Sequence, residues 1–446
     1  MDNVTHALAG LLLADATVSS VQRRIGRASS AGTEAPSLVR FRRAAVVLGI
    51  AAAEFPDADL VYSGPMVAMG KLGYLLHHRG HTHTVVWAMV SAVVLWWITR
   101  WWWQRGLTGR ERADASSAIV SRVGARALLV LAVVGTLSHL LLDFTNSYGV
   151  HPFWPFDNRW YYGDAVFIVE PWLMVVAIPP LVWGPRRAFG RGLLLVALAA
   201  ILALCWFAGE VSPALALGVT IMALAGMLLQ RAMAAGARPW TGISAWIVVT
   251  TVFFLSSLQA RAVVTELVRS GELRDVVLTP APADPRCFSA MVITATATEY
   301  RVSTATVAPW SSGMNAAGCA TSRSGSARNT LGALPGTSRR VPFPASPAVA
   351  WGETWAVSRA EFVALAATRC EFAAAMQFMR TPVWSLDASG TAVVADARFG
   401  IGGGGFAGLA VAPGNQCALR GKWVPMWVPP RGDVLAPADW ATRDRS

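Results

Sequence analysis

Charge is scarce in this chain: Asp, Glu, Lys and Arg together make up 14% of its 446 residues. That scarcity excludes an ordinary soluble surface. With 54% hydrophobic residues, 20 tryptophans and a mean hydropathy of +0.44, the composition is that of a multi-span membrane protein. Histidine is absent after position 151, although the chain runs on to 446; all seven lie at 6, 77, 78, 81, 83, 139 and 151. Cysteine is also rare. Cys205 sits alone in an apolar run, and Cys287, Cys319, Cys370 and Cys417 follow in the tail beyond residue 262. Residues 1–20 lack a basic n-region and Asp15 interrupts their apolar stretch, so no signal peptide is expected. The run Gly402–Gly405 is not followed by the Lys and Ser/Thr of a phosphate loop, and it reads as a flexible turn. The net charge of +12 does not point to nucleic acid, because most arginines cluster between apolar runs, as a topology signal does.

The apolar runs set the expected architecture. Residues 4–20 form a helix of marginal length for a span. Residues 44–55 are apolar but too short to cross about 30 Å of hydrocarbon, and read as a half-helix ending in acidic residues. Clearer spans are expected at 84–103, 126–144, 165–183, 192–208, 213–230 and 243–260. Seventeen arginines lie in loops of one side (Arg23, Arg24, Arg27, Arg40, Arg42, Arg43, Arg100, Arg105, Arg110, Arg112, Arg122, Arg126, Arg186, Arg187, Arg191, Arg231 and Arg238). The other side holds only Lys71, Arg79 and Arg159, so the arginine side is expected to be cytoplasmic. Trp96, Trp97 and Trp101 to Trp103 then fall at the inner interface; Trp154, Trp160, Tyr161 and Tyr162 fall at the outer one.

Beyond residue 262 the character changes. Residues 288–308 suggest strands, 312–345 a long Gly/Ser-rich loop, 358–369 a short capped helix, and 382–399 a strand–turn–strand with its turn at Asp387–Gly390. The expected fold is thus mainly α: a polytopic membrane helical bundle with a C-terminal extracytoplasmic α+β domain. Its divisions are drawn at 1–183, 184–261 and 262–446. Four cysteines in an oxidising compartment permit two disulfides, with three possible connectivities.

The chemistry concentrates between Glu54 and His83, which reads E-F-P-D-A-D and then H-H-R-G-H-T-H. Imidazoles with carboxylates are the usual ligands of zinc, and also of manganese or iron. His139 and Asp143, four apart, share one helical face. A carboxylate inside an apolar span demands a partner, either a metal or a structural His–Asp hydrogen bond. Arg79 cannot ligate a metal, but its guanidinium suits an anionic oxygen. Asp57 and Asp59 follow Pro56 at a helix end and could bind metal or act as a general base.

These residues carry a resemblance. Thr5-His6, Pro56-Asp57-x-Asp59, His78-Arg79-Gly80-x-Thr82-His83, His139-x-x-x-Asp143 and Asn146-x-Tyr148-Gly149 resemble, in order and rough spacing, the YdjM-like family of bacterial membrane-bound metal-dependent hydrolases. The likeness covers residues 1 to about 175. In that pattern His78 and His83 are the shared histidines, whereas His77 and His81 fall at variable positions. Glu170-Pro171 stands where relatives often carry Asp-Pro, and Thr84 where many have Ser. The family is itself similar to zinc-dependent phospholipases C and single-strand nucleases. The resemblance implies hydrolysis of an ester or phosphoester in the bacterial plasma (inner) membrane.

The resulting expectation is a membrane-bound hydrolase with one to three divalent ions. The expected metal ligands are His6, Asp57, Asp59, His78, His83, His139 and Asp143. Asp57 or Asp59 doubles as base, Arg79 holds the substrate anion, and Asn146 and Glu170 are supporting or extra ligands. A site embedded in the bilayer favours a lipid or lipid-linked substrate. The alternatives are a metal transporter or sensor and a non-catalytic membrane assembly protein. Transport needs ionisable residues along several spans, and the spans after 185 have almost none.

Overall fold

The computed structural model describes residues 1–26, 36–64, 68–106, 115–184, 188–268, 271–322, 331–338, 343–414 and 417–435. Arg27, Arg110, Arg112, Arg186 and Arg187 lie outside these residues, as do 323–330 and 339–342 of the Gly/Ser-rich stretch. The chain divides into two compact units that interleave along the sequence. The first comprises Met1–Ala58, Thr82–Thr145 and Phe167–Val252; the second comprises Asp59–His81, Asn146–Val166 and Phe253–Ser446.

The first unit is helical. Its helices are α1 (Asn3–Gly26) and α2 (Pro36–Glu54); then, after the short α3 (Gly70–His77) of the second unit, α4 (Val85–Arg105), α5 (Ala115–Phe144), α6 (Pro171–Val182), α7 (Ala188–Phe207) and α8 (Pro213–Ala232). Helix α9 (Arg238–Leu267) begins in the first unit and continues into the second. Among the described residues, six helices are long and apolar enough to cross a membrane: α1, α4, α5, α7, α8 and α9.

Three expectations change here. The marginal segment 4–20 is a helix of 24 residues, about 36 Å at 1.5 Å per residue. It runs on into Arg23 and Arg24, cations that suit a helix C-terminus. The expected span at 165–183 shortens to the 12 residues of α6, too few to cross alone. The physical cause is local. Buried Glu170 caps the helix by accepting from the Trp172 N–H at 3.2 Å, and Pro171, with no N–H to satisfy, fixes the first turn. Hydropathy sees the composition of that run, but the cap sets where the helix starts. The half-helix at 44–55 is likewise the end of a longer helix, α2, which begins among the arginines at Pro36.

Helices α1 and α2 cross where backbones touch. A Cβ added to Gly10 would sit 2.3 Å from the Gly49 carbonyl oxygen, and one added to Gly49 would sit 2.4 Å from that of Gly10. Only paired glycines permit that approach. Around it packs a core of Ala14, Val18, Phe41, Leu48, Leu128 and Ala132. Trp103, expected at the inner interface, is buried instead, edge-on to Phe41 at 5.5 Å, whereas Trp97, Trp101 and Trp102 are exposed.

In the second unit, strands β1 (Leu273–Ala281), β2 (Asp284–Ala295), β3 (Glu299–Val307), β4 (Thr337–Ser338) and β5 (Val349–Ser358) form one antiparallel sheet in the order β1-β2-β3-β5-β4. β6 (Pro382–Leu386), β7 (Ala392–Asp396) and β8 (Gly408–Val411) form a second. The strands expected within 288–308, the helix at Arg359–Thr368 and the turn after β6 are present. The stretch 312–345 is more than loop: it carries the helix Ala316–Ser322 and β4. The glycine run around 402–405 is a cation seat. Lys71 Nζ donates to the carbonyl oxygens of Gly403, Gly405 and Gly408 at 3.2, 2.7 and 3.0 Å.

The segments 59–81 and 146–166 are built into this unit. Trp160, expected at the outer interface, is buried and donates through Nε1 to the Gln377 carbonyl at 2.6 Å. Tyr162 lies under the Arg380 guanidinium, 4.0 Å from its centroid. Arg380 is itself buried and binds Asp164 (2.7 and 2.9 Å) and Asp275 (2.8 and 3.0 Å). Burial acts to raise the Asp275 carboxyl, but Arg380 and Arg431 outweigh it and hold the group below the usual carboxylate range. The four tail cysteines pair as Cys287–Cys319 and Cys370–Cys417; Cys205 is free and buried.

Two outcomes follow. Arg380→Met takes the two-pronged partner from buried Asp164 and half-buried Asp275, leaving them Arg261 and Arg431, and should cost about 1.5–3 kcal/mol, read as a lower midpoint in thermal unfolding of the detergent-solubilised protein. A change within 1 °C would show the network to be dispensable. Thiol labelling of denatured, unreduced protein should find Cys205 alone, and five labelled cysteines would dissolve both pairings.

Candidate metal centre

The first unit gathers five of the expected ligands. His6 comes from the first turns of α1, Asp57 from the 3-10 turn Phe55–Asp59 after α2, His83 from the residues before α4, and His139 with Asp143 from the end of α5. His6, His83, His139 and Asp143 are fully buried.

Four donor atoms converge. His83 Nε2 lies 3.1 Å from Asp143 Oδ2, 3.3 Å from Asp57 Oδ1 and 3.1 Å from His139 Nε2. His139 Nε2 lies 3.4 Å from each of the same two carboxylate oxygens. The outer nitrogens decide the protonation. His139 Nδ1 faces the Ala53 carbonyl oxygen at 2.6 Å, and only an N–H can satisfy a carbonyl. Its Nε2 is then a bare lone pair in the neutral ring. His83 Nδ1 meets Thr82 Oγ1 at 3.0 Å, which permits the same tautomer. Two imidazole lone pairs and two carboxylate oxygens then point at one another in a buried space. Such an arrangement repels unless a proton or a cation lies among them. A tetrahedral zinc ion, with bonds of about 2.0–2.1 Å, sets its donors about 3.3–3.4 Å apart. The five measured separations, 3.1–3.4 Å, fit that spacing. The ring contacts to Ala53 and Thr82 are the outer support that metal-binding histidines use.

His6 flanks the group. Its ring stacks on His139 at 3.8 Å and its Nε2 is 3.2 Å from Asp143 Oδ1, an oxygen that also accepts from the Met1 ammonium. Glu54, at the end of α2, accepts from Asn3 Nδ2 at 3.1 Å. Sequence reasoning took it only as the start of the acidic run, and no spacing signal sets it apart.

The second unit holds Asp59, His78, Arg79 and Asn146. Asp59 Oδ1 lies 2.9 Å from His78 Nδ1, and Oδ2 accepts from the Arg79 backbone N–H at 2.9 Å. Arg79 has a positive φ of 60°, a strained conformation for a non-glycine residue. Its Nη1 donates to Asn146 Oδ1 at 3.1 Å, and its guanidinium lies 4.7 Å from the Tyr148 ring centroid. Gly149 next door has φ +99°, and a Cβ there would meet the Tyr162 ring at 2.4 Å, so glycine is required. Glu170 serves as the helix cap described above.

The demoted histidines have other work. His77 Nε2 meets the Trp423 carbonyl oxygen at 3.0 Å, and His81 stacks on the Trp423 ring. Burial lowers His77, and burial together with His77 pushes His81 down to about 4. His151 stacks on Trp427 at 3.7 Å. Each is an aromatic packing partner within its unit.

The model of the YdjM inner membrane protein family matches residues 1–212, just under half of the chain. No curated protein matches, and no solved structure does. The family match and the six apolar helices together support a multi-pass membrane protein.

The geometry predicts metal content directly. Elemental analysis of the purified protein should find at least one divalent ion per chain. His139→Ala combined with Asp143→Ala should remove one or more while the protein still inserts, and an unchanged stoichiometry would defeat the assignment of these donors.

Proposed function

We propose that this chain is a membrane-bound, metal-dependent hydrolase of the YdjM-like family, acting on an ester or phosphoester at the extracytoplasmic face. The observation that carries the reading is the convergence of Asp57 Oδ1, His83 Nε2, His139 Nε2 and Asp143 Oδ2 at 3.1–3.4 Å in a buried space. These four hold one divalent ion, zinc by donor type and spacing, with manganese or iron also compatible with nitrogen and oxygen donors. His6 steadies Asp143. Asp59 and His78 form a further carboxylate–imidazole pair, and one to three ions in all remain compatible with the proposal. A divalent ion at these residues would supply a water activated near neutral pH and a Lewis acid for the scissile bond. On the sequence pattern, Arg79 is the residue whose planar guanidinium suits a substrate's anionic oxygens; within its own unit it donates to Asn146. Asp59 is the remaining carboxylate for proton transfer.

The side of the membrane rests on two supports. Arginines gather in one set of loops, and the C-terminal region contains two disulfides, which persist in oxidising compartments. A lipid or lipid-linked substrate follows from a site built among apolar helices.

Arg79→Lys keeps the charge but loses the two-pronged fork. On a phosphoester panel its turnover should fall about tenfold to a hundredfold, the worth of a charge-assisted hydrogen bond, with metal content constant. A panel that yields no metal-dependent turnover with wild-type protein would overturn the hydrolase reading. A C-terminal alkaline phosphatase fusion should be active; a bright cytoplasmic reporter at the same position would move the site to the inner face.

A further inference from the structure

A cleft of about 730 Å³ opens along the first unit between α1, α5 and α9. Its walls are apolar, with Leu13 and Val21 from α1, Val130 and Val134 from α5 and Ile243 from α9. The two hydroxyls in the wall are already used: Thr17 Oγ1 donates to the Leu13 carbonyl and Ser20 Oγ to that of Ala16, each at 2.8 Å. Apart from its arginines, the wall therefore asks little of a polar ligand. One end differs. Arg24, Arg122 and Arg126 all line it, all are exposed, and among the described residues none forms an ion pair. Two helices thus bring three cations to the mouth of an apolar groove.

The cleft is distinct from the metal centre. Arg24 lies 18 residues beyond His6 on α1, about 27 Å along the axis, and Arg122 lies 17 before His139 on α5, about 25 Å. The arginine mouth and the metal centre occupy opposite ends of the same helices, with the apolar wall of the cleft between them.

We infer that this cleft is a binding site for an anionic phospholipid, an acyl chain lying against Leu13, Val130, Val134 and Ile243 and the headgroup phosphate held by Arg24, Arg122 and Arg126. Charge complementarity selects the occupant. A zwitterionic lipid would bring its own cation to a cluster of three arginines, and inorganic phosphate alone would leave the apolar length of the groove unfilled. Basic pockets between transmembrane helices recognise anionic headgroups in this manner. The volume falls within the roughly 300–1,000 Å³ typical of ligand clefts. Val130 and Val134 are 62% and 40% exposed, which suits side chains that meet lipid.

Native mass spectrometry of the detergent-purified full chain tests this, with phosphatidylglycerol, phosphatidylcholine and inorganic phosphate added separately. Phosphatidylglycerol should bind at least tenfold more tightly than phosphatidylcholine. Each Arg→Gln change should weaken it about fivefold, and the triple variant on the order of a hundredfold. Val130→Trp leaves the arginines in place but fills the groove, and it should weaken phosphatidylglycerol to a similar degree. Unchanged metal content and melting temperature show that the variants fold. Equal binding of the two lipids, retention by the triple variant, indifference to Val130→Trp, or competition by inorganic phosphate at equal concentration would each overturn the proposal.

Discussion

Four lone pairs directed at one buried point form the constraint on which the first unit depends. His83, His139, Asp57 and Asp143 arrive from three separate stretches of chain, and all but Asp57 are oriented by something outside the group. His139 is held by the Ala53 carbonyl on one side and the His6 ring on the other. His83 is held by Thr82, and Asp143 by His6. Buried carboxylates without compensation cost several kcal/mol; the Met1 ammonium supplies part of that compensation at Asp143, and the imidazoles face the rest of the charge. The contact of Gly10 with Gly49 is the mechanical counterpart. It draws α1 and α2 to backbone distance one turn beyond His6 and one turn before Ala53, and so sets the two supports of His139 at once.

Much of this arrangement was legible in the sequence, for identifiable reasons. His139 and Asp143 share a face because the helix repeats every 3.6 residues. His6, His83 and Asp57 stood out because polar groups are rare in an apolar chain. The three-dimensional partition was not legible. Asp57 and Asp59 are two residues apart, yet Asp57 meets His83 and His139 while Asp59 meets His78 and the Arg79 backbone. Spacing cannot separate them, because their partners lie far along the chain and the division depends on a single 3-10 turn. The twelve-residue α6 was hidden for a different reason: a window average registers the apolar run through Val182 but not the Glu170 cap that delays its start.

Lys71, Arg380 and Arg398 show the limit most plainly. Each is one cation in sequence with no local signal. In the second unit Lys71 closes the glycine turn, Arg380 joins Asp164 to Asp275, and Arg398 binds Asp396 while donating to the Ser147 and Tyr148 carbonyls. Such pairings span up to some hundreds of residues of chain, and no periodicity encodes them. For Arg380 and Arg398 only scarcity is a sign: in a chain with so few charges, a buried guanidinium must have found its anion. Lys71, exposed and held by carbonyl oxygens, has not even that.

The second unit also accounts for the strained loop at Arg79. A non-glycine residue at positive φ costs on the order of 1–3 kcal/mol and persists only when its surroundings over-determine it. Here they do. Asp59 takes the Arg79 N–H, Asn146 takes its guanidinium, Tyr148 lies beneath, and His151 faces its carbonyl. Those partners are themselves fixed by the tail. Phe378 packs on Tyr148, Trp427 stacks on His151 and donates to the Leu76 carbonyl, and Trp423 meets His77. The segments 59–81 and 146–166 are short: the first carries only α3 and one further helical turn, and the second has no helix. Their conformation is a consequence of the C-terminal core, and the strain at Arg79 is stored in that core rather than in the loop that displays it.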